Sequence, residues 1–162
     1  NFWNSSREEK RKALNLTRLD VATLASIVQK ESAKVEERPT IAGVYINRLK
    51  RNMKLQADPT VVYALKMKNK NPDTIIRRVL LKDLEIDSPY NTYKNAGLPP
   101  APLIMPDVSS IDAVLNYKKH NYYYFAADAS RLGYHKFART LSQHNNNARE
   151  YQRYLSSQGI RK

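Results

Sequence analysis

Five of the eight prolines in this 162-residue chain stand at 89, 99, 100, 102 and 106, with Gly97 among them. Proline fixes φ and removes the backbone donor that a helix or ladder needs, so the stretch from Asp87 to Asp107 is a stiffened, irregular loop. A long loop inside a compact domain is usually functional. Before it the hydrophobic residues recur with a helical period, and after it comes an aromatic, β-rich run. These limits leave an α+β domain: mostly helical, with a small antiparallel hairpin or sheet. Length and a 41% hydrophobic content suit one domain over residues 1–162.

Ser6 to Leu14 is charged and helix-prone, and Thr17-Arg18-Leu19-Asp20 reads as a capping box opening the next helix. Pro39 suits the first turn of a further helix, in which Ile41, Tyr45 and Leu49 share a face beside Ala42 and Ile46, ending near Asn52. Asp58-Pro59 reads as an N-cap and first-turn proline before Val61, Val62 and Leu65. Lys68 to Asp73 is a polar loop, and Thr74 to Leu84 has a period compatible with a helix, alone or with an extended piece. Ser109-Ser110-Ile111-Asp112 offers another capping box, for a helix to about Tyr117. Tyr122 to Ala127, the turn Asp128 to Gly133 and the return Tyr134 to Phe137 predict a hairpin. Thr140 or Ser142 caps a last helix carried by Ala148, Tyr151 and Leu155 and closed by Gly159.

The 28 Lys and Arg against 15 Asp and Glu give a formal charge of +13, so the surface attracts anionic polymers and membranes. The basic residues are spread through Lys10 to Lys12, Lys50 to Lys54, Lys66 to Lys70 and Lys118 to Lys119, a generally basic shell. The absence of cysteine excludes disulfides and thiolate metal sites. No apolar run approaches the roughly 20 residues of a membrane-spanning helix. The first residue is Asn1 and not methionine, which reads as a trimmed piece of a longer chain.

One acidic residue stands out. In Leu24-Ala25-Ser26-Ile27-Val28-Gln29-Lys30-Glu31-Ser32, a turn of about 100° per residue puts Val21, Leu24, Ala25 and Val28 on one stripe, with Glu31 at its edge. A buried, unpaired carboxyl there has a pKa above the usual value of about 4.3, which suits a proton donor near neutral pH. The alternative is a helix-edge glutamate that reaches solvent or pairs with an arginine.

Other constellations are weaker. Tyr122, Tyr124 and Tyr134 beside Lys118, Lys119 and Lys136 resemble a stacking platform, but no nucleic-acid-binding motif accompanies them, and no nucleic acid is expected as a partner. His120, His135 and His144 are too dispersed for a ligand motif, so no metal or other cofactor is expected, and no G-x-S-x-G elbow exists. His135 and His144 read instead as hydrogen-bonding residues holding the hairpin against the last helix. Leu55-Gln56-Ala57-Asp58-Pro59-Thr60 and Ser88-Pro89-Tyr90-Asn91-Thr92-Tyr93 mix amides, hydroxyls and phenols, the chemistry that sugars engage. They read equally well as an N-cap and a turn.

In order along the chain, Phe2-Trp3, Leu24 to Glu31, Asn47-Arg48-Leu49, Met53 to Leu55 running into Gln56 to Thr60, and Ser88 to Tyr93 resemble the YceG-like (MltG) endolytic murein transglycosylases. Gly97-Leu98-Pro99-Pro100, Tyr124-Phe125, His135-Lys136-Phe137 and His144-Asn145 continue the resemblance. It implies a lysozyme-like catalytic domain that cuts the β-1,4 bond between N-acetylmuramic acid and N-acetylglucosamine within glycan strands, leaving 1,6-anhydro-muramoyl ends. Glu31 matches the family's catalytic glutamate, and Gln56, Asp58, Thr60, Ser88, Tyr90, Asn91, Thr92 and Tyr93 are the expected substrate-binding residues. The resemblance further implies peptidoglycan strands and synthases as partners. It also implies a place at the outer face of the bacterial cytoplasmic membrane, with an anchor and a LysM-like portion upstream. Ala101 and Leu103 stand where the family loop Gly-Leu-Pro-Pro-Gly-Pro-Ile has its last glycine and its isoleucine, so the loop's shape is open to change. A muramidase using Asp58 as a second carboxylate and a non-catalytic basic binding module are the rival readings.

Overall fold

The computed structural model describes residues 1–69, 76 and 78–159. Among them, six α-helices precede, flank and follow one hairpin: α1 (Ser5–Leu14), α2 (Arg18–Glu31), α3 (Arg38–Lys50), α4 (Asp58–Lys68), α5 (Val108–Leu115), β1 (Tyr124–Ala127), β2 (His135–Ala138) and α6 (Leu141–Ser157). Short 3-10 turns occupy Val35–Glu37 and Leu81–Glu85. This is the expected α+β architecture. The expected loop from Lys68 to Asp73 and element from Thr74 to Leu84 lie in part outside the described residues.

The capping box forms at α2: Thr17 Oγ1 accepts from the Asp20 N–H at 3.0 Å, and the Asp20 carboxylate accepts from the Thr17 N–H at 2.9 Å. Behind that start, Val21, Leu24, Ala25, Ile27 and Val28 lose all contact with solvent against α3, α4 and α5. Each large aliphatic side chain so buried contributes about 1.5–3 kcal/mol. Ile41, Ala42, Tyr45 and Ile46 supply the facing stripe of α3, whose Pro39 occupies the first turn as expected. α3 ends at Lys50, and Asn52 in the left-handed region (φ 56°) turns the chain. Gly43 allows a close crossing, since any side chain there would collide with the Lys118 carbonyl.

Two expected caps are placed differently. Asp58 lies inside the first turn of α4, where Ala57 is the N-cap and makes no side-chain bond. At α5 the cap is Asp107, which accepts from the Ser110 N–H at 2.9 Å, and Asp112 pairs instead with Arg7 at 3.0 Å. Thr140 caps α6, and Gly159 (φ 73°) follows its end.

The proline loop lies along α2 because its backbone donors find side-chain acceptors there. Leu103 N–H reaches Ser26 Oγ at 3.0 Å and Asp107 N–H reaches Gln29 Oε1 at 2.9 Å. Ala101 is not among the residues with positive φ, so its Cβ causes no strain, and Leu103 joins the core. In the hairpin, Phe125 pairs with Phe137 and Ala127 with His135. Arg48 Nε donates to the Tyr123 carbonyl at 2.7 Å, Asn47 Nδ2 to those of His120 and Tyr122 at 2.9 Å, and Phe125 sets its ring edge-on to Tyr45. α6 packs against both strands of this hairpin.

Candidate active site

Glu31 is the last residue of α2; the chain turns to an extended conformation at Ser32. The residue as a whole is half-buried, and it lines three depressions. Tyr45, one layer down on α3, donates its hydroxyl to Glu31 Oε2 at 2.9 Å. Burial pushes the carboxyl up to about 7; the Tyr45 hydrogen bond opposes this and the charge of Asp58 adds to it. Among the described residues no arginine or lysine forms an ion pair with Glu31, so the structure takes the buried-acid alternative.

The three depressions differ in chemistry. One, of about 530 Å³, runs between α3 and the hairpin with α6 and is lined by Arg48, Gln56, Tyr93, Tyr124, Asn145 and Tyr151 among others. A second, of about 680 Å³, is walled by α4 and Leu103-Ile104 and is mainly apolar, with Lys30 and Lys66. The third, of about 300 Å³, lies between the Ser32–Lys34 linker and the hairpin turn. Asp58 borders the first two with Glu31.

The eight polar residues read from the sequence separate into three sets. Gln56, Asp58 and Tyr93 reach the groove, and the Tyr93 hydroxyl donates to the Asp58 carboxylate. Thr60, Asn91 and Thr92 are buried, a correction to their reading as sugar contacts, because their polar atoms are spent inside the protein. Thr92 Oγ1 accepts from the Ala57 N–H at 2.9 Å and lies 2.9 Å from Thr60 Oγ1, which fixes the 56–58 segment with Gln56 in the left-handed region at φ 49°. A non-glycine residue held there is strained, and such strain clusters at functional sites. Asn91 Nδ2 donates to the Leu84 and Ile86 carbonyls at 2.9 Å while its Oδ1 accepts from the Tyr93 N–H at 2.9 Å, so it aims Tyr93. Ser88 Oγ accepts from the Tyr90 N–H at 3.1 Å, and the Tyr90 ring leans on Tyr63 at 4.7 Å; neither residue borders the three depressions.

The histidines hold separate positions. His120 Nε2 donates to the Thr40 carbonyl at 2.8 Å. His135 Nδ1 donates to Glu37 at 2.8 Å, which ties the hairpin to the α2–α3 linker and not to α6 as expected. His144 does join α6 to the hairpin, by stacking on Tyr124 at 5.2 Å; among the described residues its buried Nδ1 has no hydrogen-bond partner, and burial lowers its pKa. The three tyrosines of the supposed stacking platform also diverge: Tyr134 donates to Glu36, Tyr124 lies under Arg48, and Tyr122 leans on His120.

The family model described as YceG-like matches residues 1–150. The chain belongs to the YceG-like family. It is 46% identical over 135 residues to a Bacillus subtilis protein named endolytic murein transglycosylase, covering 83% of this chain and 34% of the relative. A Streptococcus pneumoniae protein of the same name is 39% identical over 140 residues, covering 86% of this chain and 25% of that one. The chain thus spans about a third and a quarter of these two relatives. The crystal structure of a YceG-like protein from Listeria monocytogenes superposes with a TM-score of 0.73 at 38% identity, over 88% of this chain and 43% of that one.

Three sets of contacts in this YceG-like site carry no local signal in the sequence. The Tyr45 hydroxyl meets Glu31 across two helices, 14 residues on. Arg48, nearly buried, bridges the Tyr123 and Lys54 carbonyls at 2.7 Å each. Glu37 collects the His135 N–H at 2.7 Å, the His135 ring and the Ser32 hydroxyl at 3.2 Å. All three are contacts of the tertiary fold.

Proposed function

We propose that this YceG-like domain is the catalytic part of a peptidoglycan lytic transglycosylase, with Glu31 as its single acid and base. The observation that carries the reading is the Glu31 carboxyl itself: pushed up to about 7, held by Tyr45 and open to a long groove. The names of the relatives in Bacillus subtilis and Streptococcus pneumoniae support the choice of bond.

Near neutral pH a carboxyl of this kind is partly protonated and partly ionised, which suits a group that gives a proton and takes one back. Glu31 donates its proton to the oxygen linking a muramoyl C1 to the next sugar, and that C1–O bond breaks. The developing positive charge at C1 is shared with the substrate's acetamide oxygen. The muramoyl C6 hydroxyl oxygen then closes onto C1, and Glu31 recovers the proton that this hydroxyl releases. No water is consumed, and the new end is a 1,6-anhydro-muramoyl group. Gln56, Asp58 and Tyr93 hold the sugar beside Glu31, while Thr60, Ser88, Tyr90, Asn91 and Thr92 support the segments that carry them. The +13 charge draws the domain toward anionic wall polymer and membrane at the outer face of the cytoplasmic membrane.

Asp58 favours one second reading. Its carboxylate borders the same two depressions as Glu31, so a muramidase with Asp58 activating water fits the groove as well. Product masses from digested peptidoglycan decide between them. The proposal expects anhydro ends; reducing muramoyl ends, heavier by one water, would overturn it in favour of hydrolysis.

A further inference from the structure

The mainly apolar depression beside Glu31 is poorly suited to a sugar ring, which needs hydrogen-bond partners along its edge. Apart from Glu31 and Asp58, its lining is chiefly hydrophobic, with Val62 and Met67 from α4 and Leu103 and Ile104 from the proline loop. Two ammonium groups, Lys30 from α2 and Lys66 from α4, also line it. Among the described residues neither lysine forms an ion pair or a side-chain hydrogen bond. A cavity with apolar walls, two unpaired cations and the proposed reacting carboxyl in its lining fits a ligand that is methyl-rich, anionic and attached to the reacting sugar.

Resting on the transglycosylase reading above, we propose that this cavity takes the stem peptide of the muramoyl residue whose bond is cut. The peptide branch leaves that residue at C3 through a lactyl ether, and C1 and C3 belong to one ring, so the branch emerges beside the group acting at C1. Its methyl groups lie against Val62, Leu103 and Ile104, where removal from water favours binding in proportion to the area covered. A peptide carboxylate meets Lys66, with Lys30 as the second cation. The domain therefore selects peptide-bearing strands over bare ones.

The test compares kcat/KM on two glycan preparations from the same sacculi, one intact and one stripped of its peptides by an amidase. The wild-type protein is expected to prefer the intact strands by roughly tenfold or more, an affinity difference of about 1.4 kcal/mol per factor of ten. Lys66→Glu is expected to bring that ratio close to one, chiefly through a higher KM on intact strands. Ile104→Ser should reduce it less, and Lys66→Gln should fall between the two. Lys66 is used in preference to Lys30, which adjoins Glu31 and would disturb its titration. Equal wild-type rates on the two preparations, or a preference that survives Lys66→Glu, would overturn the peptide site while leaving the transglycosylase intact. Failure to cleave either preparation would overturn the transglycosylase reading and this assignment with it.

Discussion

Two helices face the same groove and are held in opposite ways. α2 buries seven of its fourteen residues and carries Glu31 at its end, whereas the seventeen-residue α6 buries none and brings His144, Asn145 and Tyr151 to the other wall. The proposed proton-transfer group therefore stands at the end of a helix half of whose residues are enclosed, where close packing sets its position. The opposite wall leans on a two-stranded hairpin, which is joined to the helices through Arg48, Asn47, Glu37 with His135, and Glu36 with Tyr134. One wall of the groove is thus fixed by core packing and the other by a few cross-element hydrogen bonds, so the second is expected to open at lower free energy.

Removing the acid gives the largest effect on chemistry. Glu31→Gln should lower the cleavage of purified peptidoglycan by about 10²–10⁴-fold, the usual contribution of general acid–base catalysis, with the fold intact. Cleavage near the wild-type rate, followed by product analysis, would take the chemistry away from α2. On stability, Leu24→Ala in α2 should cost about 2–5 kcal/mol because it opens a cavity in a fully buried site. Leu155→Ala on half-buried α6 should cost about 1 kcal/mol. Equal losses in denaturant titrations would erase the contrast between the two walls.

The position of Glu31 carries its own cost to the fold. Because its carboxyl is pushed from 4.5 up to about 7, the folded protein holds a proton that the unfolded chain has released between those two values. Stability is therefore lost as pH rises through that window and is level above it, by at most about 3 kcal/mol. Glu31→Gln should remove this slope, as chemical denaturation at a series of pH values will record. A smaller effect is expected from Glu37→Ala, which leaves the His135 N–H unpaired at the hairpin and costs about 1–3 kcal/mol. Amide exchange should quicken across Tyr124–Ala138 while α2 keeps its protection; uniform quickening would mean that the two walls open together.

The helical part of this chain was legible because its signals are local. The Thr17–Asp20 capping box, the Pro39 helix start and the stripe through Val21, Leu24 and Val28 each depend on neighbours a few residues away. Glu31 was legible for the same reason, as a carboxylate out of place on that stripe. Where local signals compete, tertiary contacts decided. Asp58 and Ser109 both look like caps, yet Asp58 receives the Tyr93 hydroxyl and Asp107 caps α5, which releases Asp112 to Arg7. The residue types in Thr60, Asn91 and Thr92 are those of a sugar site, but types alone do not reveal burial, and all three are enclosed. The Tyr45 hydroxyl and Glu37 had no sequence signature because their partners lie on other elements, and Arg48 stood in a family motif whose residues give no hint of its carbonyl partners.

The account rests on a carboxyl whose burial keeps it protonated close to neutral pH. NMR titration of the Glu31 side-chain carboxyl carbon measures this directly. The expected midpoint lies near 7, moving up in Tyr45→Phe, which removes a hydrogen bond to the ionised form, and down in Asp58→Asn, which removes a like charge. A midpoint near 4.5 that neither substitution moves would contradict the assignment of Glu31 as the acid.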